Sequence, residues 1–297
     1  MLTAGVDVGG TKILGVAVDA RRAEVVGEPV RLPTPKGSAV LLLDAIEQAV
    51  REVESALSPS VAGVDAVGVG LPGLVDRSGT LRMGPHVPGI VNEPFAEPLV
   101  RRLGRPVTVD NDATCAVWAE SSIGAARGAS DVVMVTLGTG IGTGIVAGGR
   151  LQRGGHGFAG EAGHMVVDPD GHECACGRRG CWEQYASGNG LSRLARGRRA
   201  EEVVAAARAG ERDAVEALRR FAWWFALGLA NLVALLDPQV VVVGGGVIEA
   251  GDVLFDPLRS AYRELVMAGD VRPEVAIVPA ALGERANAIG AALLASR

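Results

Sequence analysis

Three of the four cysteines in this 297-residue chain, Cys174, Cys176 and Cys181, crowd into one stretch. From Glu161 to Glu183 it reads EAGHMVVDPDGHECACGRRGCWE, with His164 and His172 inside it and a glutamate at each end. Thiolates this close together, with a histidine upstream, predict a tetrahedral Cys3His zinc site. Gly177 and Gly180 allow the tight turns that such a knuckle needs. The competing reading is a chance cluster of ordinary cysteines. Spacing alone leaves open what a metal knuckle flanked by carboxylates is for.

Further chemistry is suggested by two glycine turns. Residues 4–19 read AGVDVGGTKILGVAVD, in which apolar β-formers flank Gly9-Gly10 and then resume. The turn carries Asp7, Thr11 and Lys12, and glycine lets backbone approach a phosphate to which Thr and Lys can donate. Taken alone, an ordinary hairpin fits equally well. Residues 131–151, DVVMVTLGTGIGTGIVAGGRL, repeat the plan with Gly138, Thr139 and Gly140 in the turn. Such a repeat suggests two similarly built domains, each contributing a phosphate-binding turn. A dinucleotide fingerprint is excluded, because the glycines alternate and a strand follows them in place of a helix. No GxxxxGK[ST] occurs. A third run, Gly244-Gly245-Gly246, follows an apolar strand and fits either a base or ribose or a tight turn. Asp112 ends a strand and opens a helix, where helix N-termini favour anions. For Asp110, beside it, capping or a turn is the expected role.

The elements that must position these groups alternate throughout. Helices are expected at 41–57, 113–123, 191–208, 213–236, 253–266 and 287–295. Strands are expected at 64–71, 106–109, 239–243 and 275–278. Residues 84–98, with His86 and Asn92, read as loop, and Val100–Leu103 as the end of a helix. Trp223 and Trp224 read as core packing. The class is α/β.

Composition narrows the function. Apolar residues make up 48% of the chain, so it is globular. A net charge of −5 argues against a nucleic-acid surface. The chain opens without a basic start or an apolar core, and Phe221–Leu236 is too short for a membrane span. Clustered cysteines suit a reducing compartment, so the cytoplasm is expected.

Two glycine turns, a carboxylate at a strand end and no P-loop suggest phosphoryl transfer in a cleft between two domains. Asp112 is then the candidate base, and Asp7 could hold Mg2+ directly or through water. Asn92, Asn111, Glu161, His164 and Glu183 suit a polyol acceptor.

At this point the chain resembles the ROK family of repressors, open reading frames and sugar kinases, in its glucokinase branch. DVGGTK at 7–12 and LGTGIGTG at 137–144 are similar to that family's two phosphate motifs, and VVVVGGGV at 240–247 to its adenosine motif. DNDA at 110–113 contains the position of its catalytic aspartate, Asp112. GEAGH at 160–164 matches its sugar-binding motif and CACGRRGCWE at 174–183 its zinc signature. The resemblance implies a two-domain actin-like ATPase fold with a cleft. The small domain would span residues 1–110, completed by the helix 284–297, and the large domain 111–283, with the knuckle at 164–181.

It further implies ATP, Mg2+ and structural Zn2+ as cofactors. The zinc ligands would be His164, Cys174, Cys176 and Cys181, leaving His172 as a solvated turn residue. Four protein ligands leave no open position on the metal. Asp7, Gly9, Gly10, Thr11, Lys12, Gly138, Thr139, Gly140, Gly245 and Gly246 would contact the nucleotide. Gly73, Asn92, Asn111, Asp112, Glu161, His164 and Glu183 would contact the sugar. HVPGIVNEPF at 86–95 departs from the family pattern in lacking the tryptophan that often precedes the sugar-binding asparagine. The expected reaction is phosphorylation of glucose on its 6-hydroxyl, with another hexose as the alternative acceptor. Polyphosphate is a less expected donor. A repressor would need an N-terminal DNA-binding segment, for which the first phosphate strand leaves no room. A non-catalytic sugar-binding protein is the third class. A homodimer or homotetramer is implied, with no nucleic-acid or membrane partner.

Overall fold

A computed structural model describes residues 1–58, 63–84 and 87–297. The loop assignment at His86 lies outside the described residues, as does Pro59. The chain divides into two compact units. The first comprises Met1–Gly128, Gly144–Gly160 and Ala281–Arg297; the second comprises Ala129–Thr143 and Glu161–Ala280.

The first unit begins with β1 (Leu2–Val8), β2 (Lys12–Asp19), β3 (Glu24–Pro33) and α1 (Ala39–Ser55). β4 (Ala66–Leu71), β5 (Leu74–Val75), β6 (Thr80–Met83), β7 (Val91–Pro94) and α2 (Ala96–Leu103) come next. β8 (Val107–Asn111) leads straight into α3 (Asp112–Ile123). The main sheet runs β3-β2-β1-β4-β8, with β1, β4 and β8 parallel. Period-two alternation puts Ala4, Val6 and Val8 into one core, against the Leu42, Ile46, Ala49, Val50 and Val53 stripe of α1. Ser38 caps α1 by accepting from the Leu41 N–H at 3.4 Å.

In the second half of the chain lie β9 (Val132–Leu137), β10 (Ile141–Ala147), β11 (Arg150–Leu151), α4 (Glu183–Ala186) and α5 (Gly188–Leu194). α6 (Ala200–Arg208), α7 (Arg212–Leu236), β12 (Val240–Gly244), α8 (Asp252–Leu265), β13 (Ala276–Pro279) and α9 (Ala286–Ala295) complete it. The second sheet runs β11-β10-β9-β12-β13, with β9, β12 and β13 parallel. In both sheets a strand pair joined by a glycine turn is extended by two parallel strands. The internal repeat read from the sequence is thus a repeat of sheet order. α7 buries Phe221, Phe225, Leu229 and Val233 in the core of this half.

α9 belongs to the first unit because Gly5 and Gly68 leave it room. A Cβ on either would stand 1.8 Å from a backbone oxygen, Ala288 O for Gly5 and Ala291 O for Gly68. α3 packs beside α9, so it too belongs to this unit, although a boundary was expected at residue 110.

Four local expectations change. β3 and the β5-β6-β7 sheet were not anticipated; much of β7 is exposed and carries no alternating pattern. The single helix expected at 191–208 is two, α5 and α6, broken where Arg196 and Gly197 take φ of 57° and 91°. Trp223 is not core: it is 38% exposed, while Trp224 packs on Tyr185 with ring centroids 4.3 Å apart. Among the described residues no helix is long and apolar enough to cross a membrane.

Candidate active site

The first unit gathers its carboxylates at the C-terminal ends of parallel strands. Asp7 on β1 is in register with Gly70 on β4, and Gly70 with Asp110 on β8. Asp112 begins α3, as expected from the strand-to-helix junction, and its Oδ1 accepts from the Ala113 N–H at 2.8 Å. Burial, and then the charge of Asp112, push the Asp7 carboxyl up to about 7. The Asn287 side-chain amide opposes this by donating to Asp7 Oδ1 at 3.2 Å. Two carboxylates so close invite a proton or a hard cation between them, and Mg2+ is commonly held by one or two carboxylates plus phosphate oxygens.

The cap of α3 is Asn111, not Asp110. Asn111 Oδ1 accepts from the Thr114 N–H at 3.0 Å, and its Nδ2 donates to Gly73 O at 3.1 Å. The structure therefore joins two of the expected sugar residues, Gly73 and Asn111. Asp110 is 5% exposed and accepts from Arg153 Nε at 2.5 Å. Burial raises its carboxyl and Arg153 works against the rise.

Asn92 lies exposed on β7 with φ of 55°, and its Oδ1 accepts from Arg82 Nη1 at 3.3 Å. Arg82 is itself paired with Asp76 at 2.6 Å. Although burial opposes it, the Ser78 hydroxyl, the Thr80 N–H and Arg82 hold Asp76 at about 2. In the first glycine turn the Gly9 N–H donates to Lys12 O at 2.9 Å, and the Thr34 hydroxyl to Gly9 O at 2.7 Å. Gly10 is half-buried and Thr11 exposed. Lys12 pairs with Glu284 at 2.5 Å, as does Arg31, and the two cations hold the Glu284 carboxyl at about 2. These side chains are half exposed, so the pairs orient Lys12 more than they stabilise the fold.

The second unit holds the other turn. Gly138 and Thr139 are exposed, and the Gly138 N–H donates to Gly140 O at 3.0 Å. The Gly188 N–H, at the start of α5, donates to Gly138 O at 2.8 Å. Gly245, at φ of 93°, sits so close beneath that a Cβ would lie 2.0 Å from Leu137 O. Gly246 opens the short helical turn after it. Glycine is thus required where the adenosine-like motif meets the phosphate-like turn.

Glu161, His164 and Glu183 come together in this unit. His164 closes a 3-10 turn whose first carbonyl, Glu161 O, accepts from the His164 N–H at 3.0 Å. Its Nε2 lies 3.9 Å from Glu161 Oε2 and its Nδ1 3.6 Å from Glu183 Oε1. The two ring nitrogens therefore face different carboxylates. The Cys174 thiol also donates to Glu183 Oε1 at 3.1 Å. A Cβ on Gly140 would fall 2.6 Å from Glu183 Oε2, so this glutamate links the cysteine cluster to the glycine turn.

The ligand atoms of His164, Cys174, Cys176 and Cys181 all lie within 4.8 Å of one another. Cys174 Sγ is 3.7 Å from His164 Nδ1, and Cys176 Sγ is 3.5 Å from Cys181 Sγ. A tetrahedron with metal–sulfur bonds of about 2.3 Å has edges of about 3.8 Å, so the donor set fits a zinc-sized ion. Burial raises Cys174 to about 12. In Cys176 burial is outweighed by hydrogen bonds from the Arg178 N–H and neighbouring thiols, leaving it at about 7. His172 is exposed and outside the cluster, its N–H donating to Tyr185 Oη at 3.1 Å. Trp182 anchors the knuckle, stacking on Phe225 at 5.6 Å and donating from Nε1 to Trp224 O at 2.8 Å.

Residues 3–297 match the sequence profile of the ROK family. The chain belongs to the ROK family. It is 39% identical to a glucokinase of Streptomyces coelicolor, an alignment covering 99% of this chain and 97% of that one. It is 34% identical to an N-acetylmannosamine kinase of Citrobacter koseri, covering 99% of each. Among solved structures, a ROK family glucokinase from Streptomyces griseus in complex with glucose and AMPPNP matches with a TM-score of 0.88. That match carries 38% identity over 100% of this chain and 99% of the other. The fold is accordingly the two-domain actin-like ATPase fold that the sequence resemblance implied.

Sequence reasoning missed Glu284, Asn287, Arg31, Arg82 and Arg153. All but Arg82, whose partners Asp76 and Asn92 lie nearby in the chain, act on partners distant in sequence, and no local pattern announces such a pairing.

Proposed function

We propose that this ROK protein is an ATP-dependent glucokinase, transferring the γ-phosphoryl group of ATP to the 6-hydroxyl of glucose. What carries the reading is the likeness, across the whole chain, to a glucokinase bound to glucose and AMPPNP. Asp112 accepts the proton from the attacking hydroxyl, which general-base catalysis makes worth roughly 10²–10⁴-fold. Gly73, Asn92, Asn111, Glu161, His164 and Glu183 bond the remaining hydroxyls. Gly9, Gly10, Thr11, Lys12, Gly138, Thr139 and Gly140 hold phosphates, and Gly245 and Gly246 admit the adenosine. Asp7 would hold Mg2+ directly or through water, and the ion would supply charge neutralisation for phosphoryl transfer. His164, Cys174, Cys176 and Cys181 would hold a structural zinc; Nδ1 of His164 is the nitrogen on the cysteine side, and Nε2, on the Glu161 side, would serve a hydroxyl.

A second acceptor is favoured by one observation, the 34% identity to an N-acetylmannosamine kinase. Phosphorylation of glucose, N-acetylmannosamine, N-acetylglucosamine and fructose with Mg-ATP decides between them. Glucose should give the highest kcat/KM; a higher value for an N-acetyl sugar overturns the glucose assignment. The protein should work in the cytoplasm as a homodimer or homotetramer, the assembly being readable by sedimentation.

A further inference from the structure

The last helix, α9, reads ANAIGAALLA, and Asn287 is its one polar side chain. Asparagine is a mediocre helix former that favours caps, yet here Arg285 is the cap residue and Asn287 lies two residues beyond it. Packing fixes where its side chain goes. α9 meets its neighbours in the first unit through three backbone approaches that only glycine permits. A Cβ on Gly5 of β1 would lie 1.8 Å from Ala288 O, and one on Gly68 of β4 1.8 Å from Ala291 O. One on Gly290, in α9 itself, would lie 1.7 Å from Cys115 O of α3. The helix cannot slide or roll against β1, β4 and α3 without closing one of these gaps.

That seat delivers one amide to one carboxylate. Gly5 and Asp7, two apart on β1, face the same side of the sheet, and Asn287 adjoins Ala288. Asn287 Nδ2 donates to Asp7 Oδ1 at 3.2 Å. The carboxylate so held is crowded. A Cβ on Gly70 of β4 would lie 3.8 Å from Asp7 Oδ1 and 3.5 Å from Asp112 Cα, so both aspartates press on one glycine. Like charges this near repel, and a carboxylate with no fixed donor turns away from its neighbour.

We propose that Asn287 is a positioning residue for Asp7: its amide holds Oδ1 against the repulsion of Asp112 and so presents Oδ2 to Mg2+, or to a water on it, when nucleotide binds. It acts through Asp7 and not on the nucleotide itself. Hydrogen-bond partners of a metal-binding carboxylate orient it and are worth about 10–100-fold in metal affinity. The glycine-seated helix makes the amide an effective restraint, since a donor on a mobile element would follow the carboxylate instead of holding it.

This rests on the assignment of Asp7 to Mg2+, and the test separates the two. The full chain is compared with Asn287→Ala, Asn287→Gln, Asp7→Asn and the double variant Asp7→Asn/Asn287→Ala. Calorimetry reads the Kd of AMPPNP with and without Mg2+, and the ratio of the two is the gain due to the cation; kcat and Tm are read alongside. Asn287→Ala should lose ~10-fold or more of that gain while the Mg2+-free Kd stays within about twofold of the parent. Asn287→Gln keeps an amide donor on a longer side chain and should recover part of the loss. In the Asp7→Asn background, Asn287→Ala should cost nothing further. A gain kept in full by Asn287→Ala, an equal loss with and without Mg2+, or a loss that persists in the Asp7→Asn background would overturn the proposal. Should Asn287→Ala not fold, Asn287→Ser carries the same comparison. If Asp7→Asn keeps the whole gain, or the parent shows none, it is the assignment of Asp7 that fails, and the proposal falls with it.

Discussion

The two glycine turns share sheet order and chain plan but sit in opposite electrostatic settings. The first, at Gly9–Lys12, is charged: Asp7 lies beneath it near Asp112, and Lys12 is held by Glu284. The second, at Gly138–Gly140, carries no charge of its own. It is backed by the Gly188 N–H and by Gly245, with the Glu183 carboxylate against Gly140. The segments downstream of each hairpin make the difference. The first unit places carboxylates at the ends of its parallel strands. The second inserts the His/Cys knuckle, packed on α7 through Trp182, between its hairpin and its next parallel strand. In the proposed reading the duplicated backbone offers each unit a turn for phosphates, while the added segments would give the proton chemistry to the first and a wall of the sugar site to the second.

This contrast can be broken from either side, and the largest effect is expected at the knuckle. Binding at a Cys-rich structural zinc site contributes on the order of 10 kcal/mol to folding. Cys181→Ser should reduce bound zinc from one per chain to none and abolish glucose binding, as read by metal analysis and calorimetry. Active protein that contains no zinc would show that the wall stands without it. Next in size is Asp112→Asn, expected to lower kcat by roughly 10²–10⁴-fold while glucose affinity changes by only a few-fold. Near-normal turnover would place the proton chemistry elsewhere.

The third effect concerns stability. In the folded protein the Asp7 carboxyl is raised from 3.8 to about 7, so its contribution is fully present below pH 3.8 and lost as pH rises through 7. The loss is of the order of 4 kcal/mol in metal-free protein. Asp7→Asn should remove it, so that denaturant unfolding shows the variant gaining on the parent between pH 4 and pH 8. A constant difference over that range would mean that the charged turn stores no such penalty. The smallest effect belongs to the neutral turn. Gly245→Ala forces a strained φ and a clash with Leu137 O, strain of about 1–3 kcal/mol, and should raise KM for ATP ~10-fold with acceptor KM unchanged.

Much of this was legible in the linear chain because it is written locally. The knuckle is a matter of cysteine spacing, the glycine turns of interrupted apolar runs, and the position of Asp112 of a strand pattern yielding to a helical one. The cap of α3 was less so. Asp110, Asn111 and Asp112 are all good capping types, and only backbone geometry gives the role to Asn111, at ψ of 144°. β3 and the β5-β6-β7 sheet escaped because their exposed faces weaken the alternation that marks a strand.

The ties that remain are long-range. Lys12 to Glu284 spans 272 residues, Asp7 to Asn287 spans 280, and Asp110 to Arg153 spans 43. Sequence by itself determined the class of fold, the His/Cys group that could hold a metal and the residue types available for phosphoryl transfer, since each follows from spacing that survives in one dimension. Tertiary structure alone decided which charges neighbour one another. It set Asp7 near Asp112, turned the two nitrogens of His164 toward different carboxylates and gave Asp110 to Arg153. Those pairings depend on strand register and helix packing, which bring distant residues within a few ångströms and leave no local trace.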